Sequence, residues 1–256
     1  MAAVLPQITV RNEVPMSFSK KNGTTTPSMA LLPKIVQKTQ SHQEWWGRLL
    51  YDTLWFLSRI LSVSLFGFRR KIAERMPESG GVLVLSSHQS HLDPLLLGLA
   101  TNRRLSSLAR SSLFKFGPFG NAIAALGAVP IDRNASTVTA MRTVIQRLRK
   151  GAAVIVFPEG TRTSSGQLGD MKKGFALLAK RAAVPIAPVA IVGAYECWPR
   201  FHLLPRPGRI RLHFGAVITA DEVNRLSETQ LAERCIATLR DLDEQARSTR
   251  RGRVRH

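Results

Sequence analysis

From Gly80 onward this chain alternates two kinds of segment, and that alternation limits the folds open to it. Short apolar runs near 82–87, 105–109, 128–131, 153–157, 186–192 and 209–214 read as strands. Between them, stretches near 94–101, 136–149, 171–182 and 228–246 read as helices. Apolar runs without polar alternation suit strands covered on both faces. The expected fold is therefore α/β, a mostly parallel central sheet flanked by helices. The last helix opens with Ser227 and Gln230 at capping-box spacing, and Cys235, Leu239 and Leu242 form its apolar stripe, so it packs rather than reacts. In a sheet of this kind the chemistry sits at the carboxyl ends of the strands.

Polar residues gather at those ends. His88-Gln89-Ser90-His91-Leu92-Asp93 follows the first apolar run and leads into Pro94-Leu95-Leu96-Leu97. The spacing lets the Asp93 carboxylate reach the far nitrogen of His88, which would make the histidine a directed general base. Asp93 before Pro94 also fits a helix N-cap, and Ser90 with Asp93 resembles a capping box, so these residues alone leave both readings open. A second run, Val154-Ile155-Val156-Phe157, ends in the turn Pro158-Glu159-Gly160-Thr161-Arg162-Thr163. A third segment, Gly127 to Arg133, places an arginine just past a short strand. A fourth, Val184-Pro185-Ile186-Ala187-Pro188-Val189-Ala190, is an apolar strand carrying two prolines. Guanidinium groups bind phosphate oxygens bidentately, so Arg133 and Arg162 are candidate anion ligands, with a surface ion pair as the alternative for each.

These four segments, in this order, resemble the blocks of the glycerolipid acyltransferase family: an H-x4-D box, a glycine-to-arginine block, an F-P-E-G-T-R block and a V-P-I-x-P-V block. The resemblance runs from about Gly80 to about Gly215. The chain departs from the family pattern at Ser87, where asparagine is frequent, at Thr163, where serine is usual, and at Arg110-Ser111-Ser112-Leu113, where a glutamate is missing.

The resemblance implies a 1-acylglycerol-3-phosphate O-acyltransferase. His88 would take the proton of the sn-2 hydroxyl and Asp93 would hold the imidazole. The hydroxyl would attack an acyl-CoA or acyl carrier protein thioester directly. No cofactor and no metal is expected. Arg133 and Arg162 would bind the acceptor phosphate, and Glu159 would orient Arg162 or bind a glycerol hydroxyl. Gly160 and Thr161 would shape the turn, whose backbone N–H could face the oxyanion. The alternatives are another lysolipid or amino-acid-derived lipid as acceptor, or a non-catalytic basic membrane-binding protein. A lipid hydrolase is disfavoured, because the chain has no G-x-S-x-G elbow.

Charge points to an acidic partner. Thirty-seven Lys and Arg against 17 Asp and Glu give a formal net charge of +20. An anionic membrane suits this excess better than a specific nucleic acid, for which no recognition motif is present. Residues 1–42, rich in Ser, Thr, Pro and Lys, read as a leader, and 43–75 as amphipathic membrane-associating helices. In Trp45–Phe68 the charges Arg48, Asp52 and Arg59 fall on one narrow helical stripe, which suits a helix lying in the interface. The alternative is a core helix packed on the sheet. Residues 76–247 read as the acyltransferase domain and 248–256 as a basic tail. The expected location is membrane-associated, peripheral or monotopic, with the catalytic domain on the cytoplasmic face. Cys197 and Cys235 are too few for a disulfide framework, and His202 and His213 lack partners at zinc-like spacing.

Overall fold

A computed structural model describes residues 62–115, 127–131, 137–200 and 204–251, together with Thr53, Ile60, Gly117, Gly120, Ile123, Ala124 and His202. The described strands form one seven-stranded sheet in the order β1-β7-β6-β2-β5-β3-β4. They are β1 (Arg69–Ile72), β2 (Val82–Ser86), β3 (Leu105–Arg110), β4 (Ala128–Ile131), β5 (Ala153–Val156), β6 (Ile186–Val192) and β7 (Arg211–Phe214). All neighbouring strands run parallel except β6 and β7. The helices are α1 (Asp93–Ala100), α2 (Thr137–Arg149), α3 (Gly174–Ala182), α4 (Ala194–Cys197), α5 (Ala220–Arg225) and α6 (Glu228–Arg251).

The apolar runs are continuous because both faces of the sheet are covered. In β2, Val82 and Val84 enter one core with Phe66, Leu96, Leu97 and Ile191. Leu83 and Leu85 enter the other with Leu148, Phe175, Leu231 and Leu239. A fully buried side chain of this size contributes about 1.5–3 kcal/mol, so the central strand anchors both layers. Gly81 lets β2 start against the end of α2: a Cβ there would stand 2.1 Å from the Leu148 carbonyl oxygen.

Topology then brings distant residues together. The chain leaves β2, builds β3 and β4 beyond the place of β5, and returns to lay β5 directly beside β2. It next adds β6 on the other side of β2. The segments after β2 and β5 therefore emerge side by side at one sheet edge, where strand order changes direction.

Two expectations are corrected, and one open reading is closed. Within 43–75, read as helical, residues 69–72 form edge strand β1, parallel to β7. Phe66 and Phe68, at 4% and 7% exposure, belong to the core. Within 248–256, read as a tail, α6 continues through Arg251. Arg247 and Arg250 hold that last stretch, pairing with Asp243 and Glu196. Asp93 is the first residue of α1 and caps nothing ahead of it, for a reason given below. Residues 1–42 and the stripe of Arg48, Asp52 and Arg59 lie outside the described residues.

Candidate active site

The His88 loop is fixed by its backbone before its side chains are considered. The His88 N–H donates to Glu159 Oε1 at 2.8 Å, and the His88 carbonyl accepts from the Thr163 N–H at 2.9 Å. These two bonds join the loop after β2 to the turn after β5. On the other side, Ser87 is stitched to β6: its N–H reaches Val189 O, and its hydroxyl accepts from Ile191 N at 2.9 Å. The serine thus serves the sheet rather than a substrate.

The His88 ring is gripped from two directions. Its Nδ1 lies 2.8 Å from Asp93 Oδ2. Its face stacks on Phe157, with centroids 3.9 Å apart and planes 12° from parallel. Asp93 is fully buried, and its Oδ2 also accepts from the N–H groups of Gln89 at 2.6 Å and Ser90 at 2.8 Å. The carboxylate turns back into the loop, which is why it does not cap the helix forward. With Nδ1 donating to that oxygen, a neutral His88 carries its proton on Nδ1. Nε2 is then the basic atom presented to a substrate, on a side chain 20% exposed.

Glu159 is a brace. It is buried, and its second oxygen accepts from Gly169 N–H at 3.2 Å. Burial pushes its pKa above the usual carboxylate value, while the two backbone bonds oppose that rise. Gly160 sits at φ +70° in the turn, a region L side chains rarely adopt. Lys172 Nζ lies 3.4 Å from where a Cβ of residue 160 would stand. Thr161, at the exposed tip, accepts from Arg200 Nη1 at 3.5 Å. Arg162 Nη1 meets His91 Nε2 across the rim. Arg133 falls outside the described residues.

The structure thus brings His88, Asp93, Glu159 and the 160–162 turn to one sheet edge, from segments 71 residues apart. The sequence model of the acyltransferase family matches residues 68–192, from the residue before β1 to the end of β6. Over those residues the chain is similar to the acyltransferase family. It is 32% identical over 144 residues to the chloroplastic 1-acyl-sn-glycerol-3-phosphate acyltransferase BAT2 of Brassica napus, covering 54% of this chain and 42% of that one. It is 32% identical over 171 residues to the 1-acyl-sn-glycerol-3-phosphate acyltransferase of Pseudomonas aeruginosa, covering 62% and 65% respectively. The chain therefore spans about half the length of the curated relatives it matches. Its fold resembles that of the 1-acyl-sn-glycerophosphate acyltransferase from Thermotoga maritima, with a TM-score of 0.66, 23% identity, and coverage of 83% of this chain and 87% of that one.

The candidate site has supports that the sequence did not single out. Gln89 is buried; its Nε2 donates to Gly166 O at 3.0 Å and its Oε1 accepts from Tyr195 N at 3.3 Å. Ser90 Oγ donates to Trp198 O at 2.8 Å. The Tyr195 hydroxyl donates to Ser164 O at 2.6 Å, and Arg247 Nη2 to Gly166 O at the same distance. α4 and the end of α6 therefore buttress the loops after β2 and β5. Phe157, expected to close its strand, is the first residue after β5. Nothing in the sequence marks Gly166 or Gly169, whose contributions are backbone groups. Among the described residues no group of three His, Cys, Asp or Glu side chains could hold a metal ion.

Proposed function

We propose that this chain transfers a fatty acyl group from a thioester, acyl-CoA or acyl carrier protein, to the sn-2 hydroxyl of 1-acylglycerol 3-phosphate, giving phosphatidate. The observation that carries this reading is the buried, triply bonded Asp93 holding His88 beside the Arg162 turn. The similarity to 1-acyl-sn-glycerol-3-phosphate acyltransferases supports the choice of acceptor.

His88 Nε2 takes the hydroxyl proton as the acceptor oxygen attacks the thioester carbonyl. The imidazolium is stabilised by Asp93. The tetrahedral intermediate collapses, the C–S bond breaks, and the thiolate recovers the proton from His88. No enzyme nucleophile enters the step. Arg162 binds the acceptor phosphate, Arg133 is proposed to join it, and a backbone N–H of the Gly160–Thr161 turn faces the oxyanion. Glu159 holds the base and the turn at a fixed separation. A step that depends on near-attack geometry gains from such fixed positioning.

The acceptor is a lipid and the chain carries a strong positive excess, so the reaction is proposed to occur at an anionic membrane surface. Purified protein should be offered a panel of lysolipids with each donor type, with products read by mass. The proposal expects phosphatidate from 1-acylglycerol 3-phosphate as the dominant product. Preferred acylation of a phosphate-free acceptor would overturn it.

A further inference from the structure

His91 has no part in the acyl-transfer steps above, yet it sits at the centre of the rim. It lies in the turn between β2 and α1. Its ring tilts against Trp198, with centroids 5.4 Å apart and planes at 46°. The ring also hydrogen-bonds the backbone of Arg200. Its Nε2 meets Arg162 Nη1. A guanidinium has donors only, so Nε2 must supply a lone pair, and the imidazole in this contact is neutral with its proton on Nδ1.

We infer that His91 is a positioning residue: its neutral ring accepts a hydrogen bond from Arg162 and sets the guanidinium for the acceptor phosphate, so that phosphate binding weakens when His91 becomes charged. The inference rests on the reading of Arg162 as a phosphate ligand. A guanidinium carries five donors, so one bond to His91 does not exhaust them. Held from one side by an aromatic ring that is itself packed on Trp198, Arg162 gives up less freedom when the acceptor arrives.

The groups around His91 set the sign of the pH dependence. Arg162 faces it from the turn after β5, the Arg200 backbone from the segment after α4, and His88 and Asp93 from its own loop. Burial first, and then the Arg162 charge, lower its pKa from the ordinary 6.5. His91 is therefore neutral near pH 7. As pH falls through that lowered value, Nε2 gains a proton, the bond from Arg162 is lost and two cations oppose each other.

The test compares wild type, His91→Gln, His91→Phe and Arg162→Ala between pH 5 and 8. KM and kcat are measured with 1-acylglycerol 3-phosphate and with the phosphate-free 1-acylglycerol. His91→Phe keeps the ring against Trp198 and removes the acceptor nitrogen. Its KM for the phosphate acceptor should rise about three- to tenfold with kcat nearly unchanged, the scale of one ordinary net hydrogen bond. His91→Gln keeps an acceptor oxygen and cannot titrate, so it should restore a low KM at neutral pH. It should also lack the acid rise in KM seen in wild type. The ionisation of the substrate phosphate is common to all variants and cancels in the comparison. Parallel pH profiles for wild type and His91→Gln, or an unchanged KM in His91→Phe, overturn the inference. Equal losses on both acceptors in Arg162→Ala overturn the underlying phosphate assignment instead.

Discussion

Glu159 and Arg162 stand three residues apart in one turn and do different work. Both oxygens of Glu159 accept from backbone N–H groups, those of His88 and Gly169. Arg162 points across the rim to His91. Replacing Glu159 by glutamine turns an amide N–H₂ toward one of two N–H donors, so one brace must open. Steady-state kinetics of Glu159→Gln should show kcat reduced about 10- to 100-fold, the cost of misplacing a catalytic group, with the acceptor KM little changed. Arg162→Ala should do the reverse, raising the KM of phosphate-bearing acceptors more than that of neutral ones. A Glu159→Gln variant altered only in acceptor KM would return the glutamate to direct substrate binding. Asp93→Asn should also lose about 10²–10⁴ in turnover, because an amide cannot hold the imidazolium as a carboxylate does.

Individual elements carry their own strain and their own legibility. α3 ends on Ala183 at φ 52° and ψ 50°, a left-handed cap that usually belongs to glycine. The residue is exposed, so Ala183→Gly removes no packing. Chemical denaturation should show a gain of about 0.5–1 kcal/mol, the left-handed penalty of an L-residue less the added entropy of glycine in the unfolded chain. A loss of stability would mean that the turn tolerates alanine without cost. The central strands β2, β5 and β6 were legible because burial on both faces makes them nearly continuous apolar runs. The Ser227–Gln230 start of α6 was legible because both capping bonds are local, at 3.0 and 3.2 Å. β1 was not, since Arg69-Arg70-Lys71 is an exposed edge with no apolar period, recruited by pairing with β7. α5 was missed although Thr219 and Glu222 form a complete capping box, because the helix is only six residues long. His88 and Asp93 were legible from spacing. The brace role of Glu159 was not, because its partners are backbone groups brought near by sheet order.

At the scale of the whole molecule, the +20 charge and the segment leading into the sheet bear on where the chain works. No helix among the described residues is long and apolar enough to cross a membrane. Ile60 and Val63 are about half exposed, whereas Phe66 and Phe68 are core residues. The end of this segment therefore serves the sheet, while an apolar face remains outward. Removing residues 1–58 should leave a folded protein that sediments less with anionic vesicles, and less again as salt shortens the Debye length. Removing residues 1–72 should prevent folding, because it deletes β1 and two core phenylalanines, each worth about 3–5 kcal/mol. Unchanged vesicle binding after the shorter cut would place the membrane contact elsewhere. The central claim is that His88, held by Asp93, is the base for acyl transfer. It is tested most directly by single-turnover acylation of 1-acylglycerol 3-phosphate by wild type and His88→Ala, at matched vesicle binding and melting temperature. The account predicts a loss of about 10²–10⁴ or more in the rate of phosphatidate formation; a His88→Ala protein that still turns over at the wild-type rate would contradict it.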